Sequence, residues 1–143
     1  MFDRFFEVMG LRSSQSLFTQ DLELLVKGYA VAIFIDDKVE NIEVFVANRL
    51  FAGYIEKNFS SLDEKQKKDL KLVCHAKLID LLVSFKEDNN EFENVRNDFY
   101  LELSKQSSQK LIEDIKTIID SDNVFADEEK AFFSRIVKYP NLI

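Results

Sequence analysis

Carboxylates are the side chains with which this chain could do chemistry, and six of them gather in two short stretches. Asp36, Asp37 and Glu43 lie in the first, Asp120, Asp122 and Glu128 in the second. Carboxylates held close together repel one another unless a positive charge neutralises them. All-oxygen ligand sets of this kind suit a hard divalent cation such as Ca²⁺ or Mg²⁺. If the two stretches sit side by side, the six residues would face each other across a small cleft and form a metal site. The same residues also suit turns and helix starts with no ligand at all. Asp and Asn tolerate left-handed backbone. A Glu in a first helical turn meets free N–H groups and the positive end of the dipole. Both readings stand at this point. An EF-hand beginning at Asp120 is excluded, because its sixth position is Phe125 rather than Gly and its twelfth is Ala131 rather than Glu.

Other chemistry is sparse. Cys74 and His75 are the only cysteine and the only histidine. Neighbouring positions on a helix point about 100° apart, so the two do not converge as a nucleophile and its base. Cys74 reads as a small core residue and His75 as a boundary one. A zinc site would need more Cys and His ligands than the chain has, and no glycine-rich phosphate loop appears. These absences point away from an enzyme.

A formal charge of −7 disfavours a general nucleic-acid binder, which needs Lys and Arg to neutralise phosphates, and favours cations or basic partners. A single cysteine forms no intrachain disulfide, which suits a reducing compartment. With no run long enough to span a bilayer and no signal-peptide pattern at the start, the expectation is a cytoplasmic protein. Peripheral membrane attachment is disfavoured too, since Asp3 and Glu7 outnumber Arg4 in the amphipathic stretch Phe2, Phe5, Phe6, Met9. That stretch reads as a short helix packed on its own domain.

Three Gly and one Pro among 143 residues leave too few turn formers for a sheet-rich fold. The expected fold is all-α, a single compact bundle of six to seven helices spanning residues 1–143. Residues 1–16 hold the short helix and a polar connector, 17–59 a first unit, 60–106 central helices and 107–138 a second unit. Thr19 caps a helix running to about Ile35, apolar nearly all round in its later half and therefore central. The next begins near Glu40 or Asn41 with Ile42, Phe45, Val46, Arg49 and Leu50 as its amphipathic pattern. Ser61 and Glu64 form a capping box for a long helix whose stripe includes Leu70, Cys74, Leu78 and Phe85. A loop at 86–90 leads to a helix capped by Asn90. Ser107 or Ser108 caps another, with Leu111, Ile112, Ile115, Ile118 and Ile119 inward. The last buries Ala131, Phe132, Ile136 and Val137 and ends at Pro140.

The two units share a register. Asp37, Val39 and Glu43 follow the pattern D-x-V-x-x-x-E, and Asp122, Val124 and Glu128 repeat it 85 residues on. Ile33, Phe34, Ala47 and Phe51 fall over Ile118, Ile119, Phe132 and Ile136 at that offset, which marks a two-fold internal repeat. The valine of each turn is expected to plug back into the core.

An apolar helix, an acidic turn of the type Asp-Gly-x-Val/Ile and an acidic helix start with Glu, twice per chain, resembles the tellurite-resistance TerB-like family. The likeness covers roughly residues 17–138, with Lys38 and Asn123 at the turn glycine. It implies a helical bundle with a duplicated core and an acidic surface implicated in cation binding. Its acidic positions map to Asp37, Glu43, Asp122 and Glu128, flanked here by Asp36 and Asp120. The implied role is in stress response or scaffolding rather than catalysis. The alternative is a protein–protein interaction module or homodimer, with the turns purely structural. It would work through the Phe2/Phe5/Phe6 helix or an exposed face of the helix at 62–87.

Overall fold

The computed structural model describes residues 17–105, 109–121 and 127–142, with side chains in the last stretch as far as residue 136. The expected N-terminal helix, the Ser107/Ser108 cap, and Asp122 and Val124 of the second turn lie outside the described residues. Among those described there are six helices and no strand. They are α1 (Gln20–Phe34), α2 (Asn41–Asn58), α3 (Glu64–Glu87), α4 (Asn89–Lys105), α5 (Gln109–Asp120) and α6 (Asp127–Leu142).

Helix α1 organises the others. Thr19 caps it as expected, its Oγ1 accepting from the Leu22 N–H at 3.2 Å. Eleven of its fifteen residues are buried, and its run from Gly28 to Phe34 has no solvent face. A helix apolar on every side must be enclosed. It packs against α3, α4 and α5, and more lightly against α2, while α6 closes over α4 and α5. Gly28 permits the closest of these approaches: a Cβ there would lie 2.8 Å from Phe99 Cε1 and 3.4 Å from Ile115 Cδ1.

The 85-residue register holds in the core. All eight paired apolar positions are buried: Ile33 with Ile118, Phe34 with Ile119, Ala47 with Phe132 and Phe51 with Ile136. The Tyr29 hydroxyl donates to Asp114 Oδ2 at 2.9 Å across the same sequence separation. That bond joins α1 to α5, which pack against each other.

Several local expectations are corrected. The face of α2 turned inward carries Glu43, Ala47, Phe51 and Ile55, while Ile42 and Phe45 are exposed. Phe51 and Ile55 are in helical phase with Ala47 and Glu43, and Ile42 and Phe45 fall on the opposite side. The capping box of α3 is built by Asp63 and Gln66 rather than Ser61 and Glu64, with Gln66 N–H donating to Asp63 Oδ1 at 2.8 Å. The 86–90 loop shrinks to Asp88, whose carboxylate accepts from the Asn90 N–H at 3.0 Å and takes the capping role expected of Asn90. In α6, Ala131 is exposed and Glu129 is buried. That helix runs past Pro140 to Leu142. Proline so near a C-terminus forfeits only the bond to the carbonyl four residues back.

Gly28→Ala weighs helix propensity against packing. Alanine gains about 1 kcal/mol of propensity, whereas overfilling a closed core costs about 1–3 kcal/mol. With the Phe99 ring wholly buried, packing should win. The expected outcome is a melting temperature lowered by about 3 °C or more, read by circular dichroism.

Candidate functional site

The first acidic turn is fully described. After α1 the chain reverses through Asp37, which adopts φ 62°. That left-handed position falls on Asp37 itself, one residue before Lys38, and Asp is a residue type that tolerates it. Asp36 Oδ1 accepts from the Lys38 N–H at 3.1 Å, closing an Asx turn. Glu43 Oε1 accepts from the Glu40 N–H at 3.3 Å in a capping arrangement, and Glu43 is completely buried. Val39 does not enter the core; it is 42% exposed. The extended backbone of Glu40 carries Val39 along the surface into the first turn of α2.

In the second stretch Asp120 Oδ2 pairs with Lys116 Nζ at 3.2 Å, one turn back on the same helix. Glu128 is exposed, whereas its neighbour Glu129 has the complete burial of Glu43. Glu128 lines the same groove as Ile35, the residue before Asp36, so the beginning of α6 lies near the end of α1. Among the described residues no three His, Cys, Asp or Glu side chains converge on a point that could hold a metal ion. Asp36, Glu43 and Asp120 each serve a local hydrogen bond or ion pair instead.

What the first turn does present is an apolar surface with an acidic edge. Val39, Ile42 and Phe45 are 42%, 43% and 55% exposed. The Arg49 guanidinium lies 5.8 Å from the Phe45 ring centroid, at the far end from the turn. The near end carries Asp36, Asp37 and Glu40, with Lys38 among them.

A second polar centre, which the sequence did not signal, lies between α1 and α5. Asp114 is buried, with Oδ2 bonded to Tyr29 and Oδ1 at 2.9 Å from Lys110 Nζ. Both carboxylate oxygens are thereby occupied, as a buried charge requires. Burial, then the neighbouring Asp114 charge and its hydrogen bond, hold the Tyr29 hydroxyl far above the ordinary phenol range. Cys74 is wholly buried, and burial pushes its thiol up to about 12. His75 Nδ1 stands 3.1 Å from Asn48 Oδ1. A buried, protonated thiol is no nucleophile.

No protein-family model matches the chain, and no curated protein or solved structure matches it either.

Asp37→Gly should raise stability by up to about 1 kcal/mol and Asp37→Val should lower it by about 1–2 kcal/mol, measured by urea unfolding, if the residue's task is its left-handed backbone. At alkaline pH, the raised Cys74 and Tyr29 values mean that the folded state keeps protons which the unfolded chain releases. Their stabilisation is complete below the unfolded values of 9.0 and 10.0 and is lost as pH rises above them. Each group should steepen the loss by at most about 1.4 kcal/mol per pH unit. Cys74→Ala should flatten the profile between about 9 and 12, and Tyr29→Phe only above 10, in urea midpoints measured across that range.

Proposed function

We propose that this domain is a non-enzymatic binding module that takes a basic, amphipathic segment of a partner protein at its first acidic turn. The observation that carries the reading is the exposed Val39, Ile42 and Phe45 surface beside the carboxylates of Asp36, Asp37 and Glu40. Ile42 and Phe45 lie on the side of α2 opposite its core stripe, Val39 precedes them in the turn, and none of the three belongs to the buried core. Grouped exposure of that kind marks contact surfaces, and aromatic residues near arginine are the usual anchors of such contacts. A formal charge of −7 draws in a basic partner. The acids lie at the turn and Arg49 lies at the other end, so the partner's basic end would point toward Asp37. A buried thiol and a His75 turned to Asn48 support a role without catalysis. The resemblance to the TerB-like family supports a scaffolding task in stress response.

A fluorescent helical peptide of leucine and lysine, with one apolar face, tests this against a scrambled isomer of the same composition. The helical peptide should bind, and the scrambled one should not. Phe45→Ala, on the surface and so harmless to folding, should weaken binding by about tenfold or more. Added salt should weaken it further, as the acidic edge is screened. Equal binding of both peptides, or binding indifferent to Phe45→Ala, would sink the proposal.

A further inference from the structure

A groove of about 810 Å³ runs between α4 and α6, with Ile35 at one end. Its walls include Phe92, Tyr100 and Phe132, all buried by their own packing, so the floor is apolar. Two arginines from opposite helices reach into it. The Arg96 guanidinium lies 5.6 Å from the Phe92 ring centroid, and that of Arg135 lies 4.6 Å from the Tyr100 centroid. Arg96 Nε is buried and has no hydrogen-bond acceptor among the described residues. Neither guanidinium forms an ion pair with an acid among those residues, although Glu128 lines the same groove.

A buried donor without an acceptor costs the desolvation of that group. A guanidinium lying over a ring keeps its planar fork of N–H donors free at the edge, where it matches a carboxylate or phosphate. Two such forks above an apolar floor define a ligand with two parts. We propose that this groove binds an amphipathic anion: an aliphatic body along Phe92, Tyr100 and Phe132, and a carboxylate or phosphate head between Arg96 and Arg135. Glu128 sets a limit on the charge the rim accepts, which favours one anionic head over a polyanion.

Dodecyl phosphate below its micelle concentration, titrated calorimetrically, tests the site. Dodecanol is the control without a charge, and vesicles of phosphatidylcholine with phosphatidate test whether the head is presented by a membrane. Wild type should bind dodecyl phosphate at least about tenfold more tightly than dodecanol, since charge-assisted bonds are worth that much. Arg135→Gln, an exposed substitution, should lower affinity about tenfold, and the Arg96→Gln/Arg135→Gln double variant should abolish binding with its helical melt retained. Binding to the phosphatidate vesicles alone, lost in the same variants, would keep the site and assign the head group to a lipid surface. No binding to either probe, equal affinity for dodecanol, or an Arg135→Gln variant that binds like wild type would overturn the proposal. Phe45→Ala should leave this binding unchanged, so its outcome is independent of the partner surface on α2.

Discussion

Enclosing α1 is the constraint from which the rest of the structure descends. A helix whose later half has no polar side cannot turn that half to water, and its neighbours α3, α4 and α5 must each give up one face to cover it. That demand makes the surrounding helices amphipathic and leaves their outer faces free. It also forces polar groups at the crossings into mutual satisfaction. Tyr29 sits at zero exposure on α1 and could not stand there without the Asp114 carboxylate opposite. Asp114, in turn, is tolerable because Lys110 holds its other oxygen. Burial of one helix thus fixes where a hydroxyl, a carboxylate and an ammonium must meet.

Much of the architecture was legible in the sequence because it depends on periodicity and composition. Gly and Pro scarcity excluded a sheet-rich fold, the apolar run ending at Ile35 marked the central helix, and the 85-residue register picked out eight positions that are all buried. Where reading from residue type failed, packing phase outweighed hydrophobicity. Ile42 and Phe45 look like core residues, yet Ala47 and Phe51 set the phase of α2 and push both outward. The register had already paired Ala47 and Phe51 with Phe132 and Ile136, so the signal was present and was overridden by side-chain size. Glu129 was missed for a related reason, because Glu128 matches the offset in sequence while the one-residue neighbour takes the buried place. The arginine groove could not be read from sequence at all, since Arg96 and Arg135 lie on different helices whose meeting depends on the whole fold.

The acidic turns show how a sequence signal can be strong and still ambiguous. Left-handed backbone at Asp37, an Asx turn at Asp36 and a capped helix start at Glu43 each suit an acidic residue for reasons internal to the chain. Those reasons account for the residue types without a ligand. What they do not account for is Val39, which an efficient turn would bury and this one leaves exposed. The proposed contact surface accordingly rests on the apolar residues this turn puts on display, with its carboxylates as the acidic edge.

The division of labour between the two cationic side chains carries the same logic to the other surface. Several lysines pair with acids, as Lys27 does with Glu23, Lys71 with Glu56 and Lys116 with Asp120, while Lys77 Nζ lies 4.6 Å from the Phe18 ring centroid. Among the described residues the arginines with ring contacts, Arg49, Arg96 and Arg135, lie over Phe45, Phe92 and Tyr100 and form no ion pair with an acid. In a chain with 26 acidic residues against 19 basic ones, acids are available to any cation that merely needs neutralising. Stacking on a ring holds a guanidinium in place while leaving its donors outward, which an ion pair would not do. Ring contacts of this kind leave guanidinium donors uncommitted to acids, and at Arg96 the buried Nε has no acceptor among the described residues.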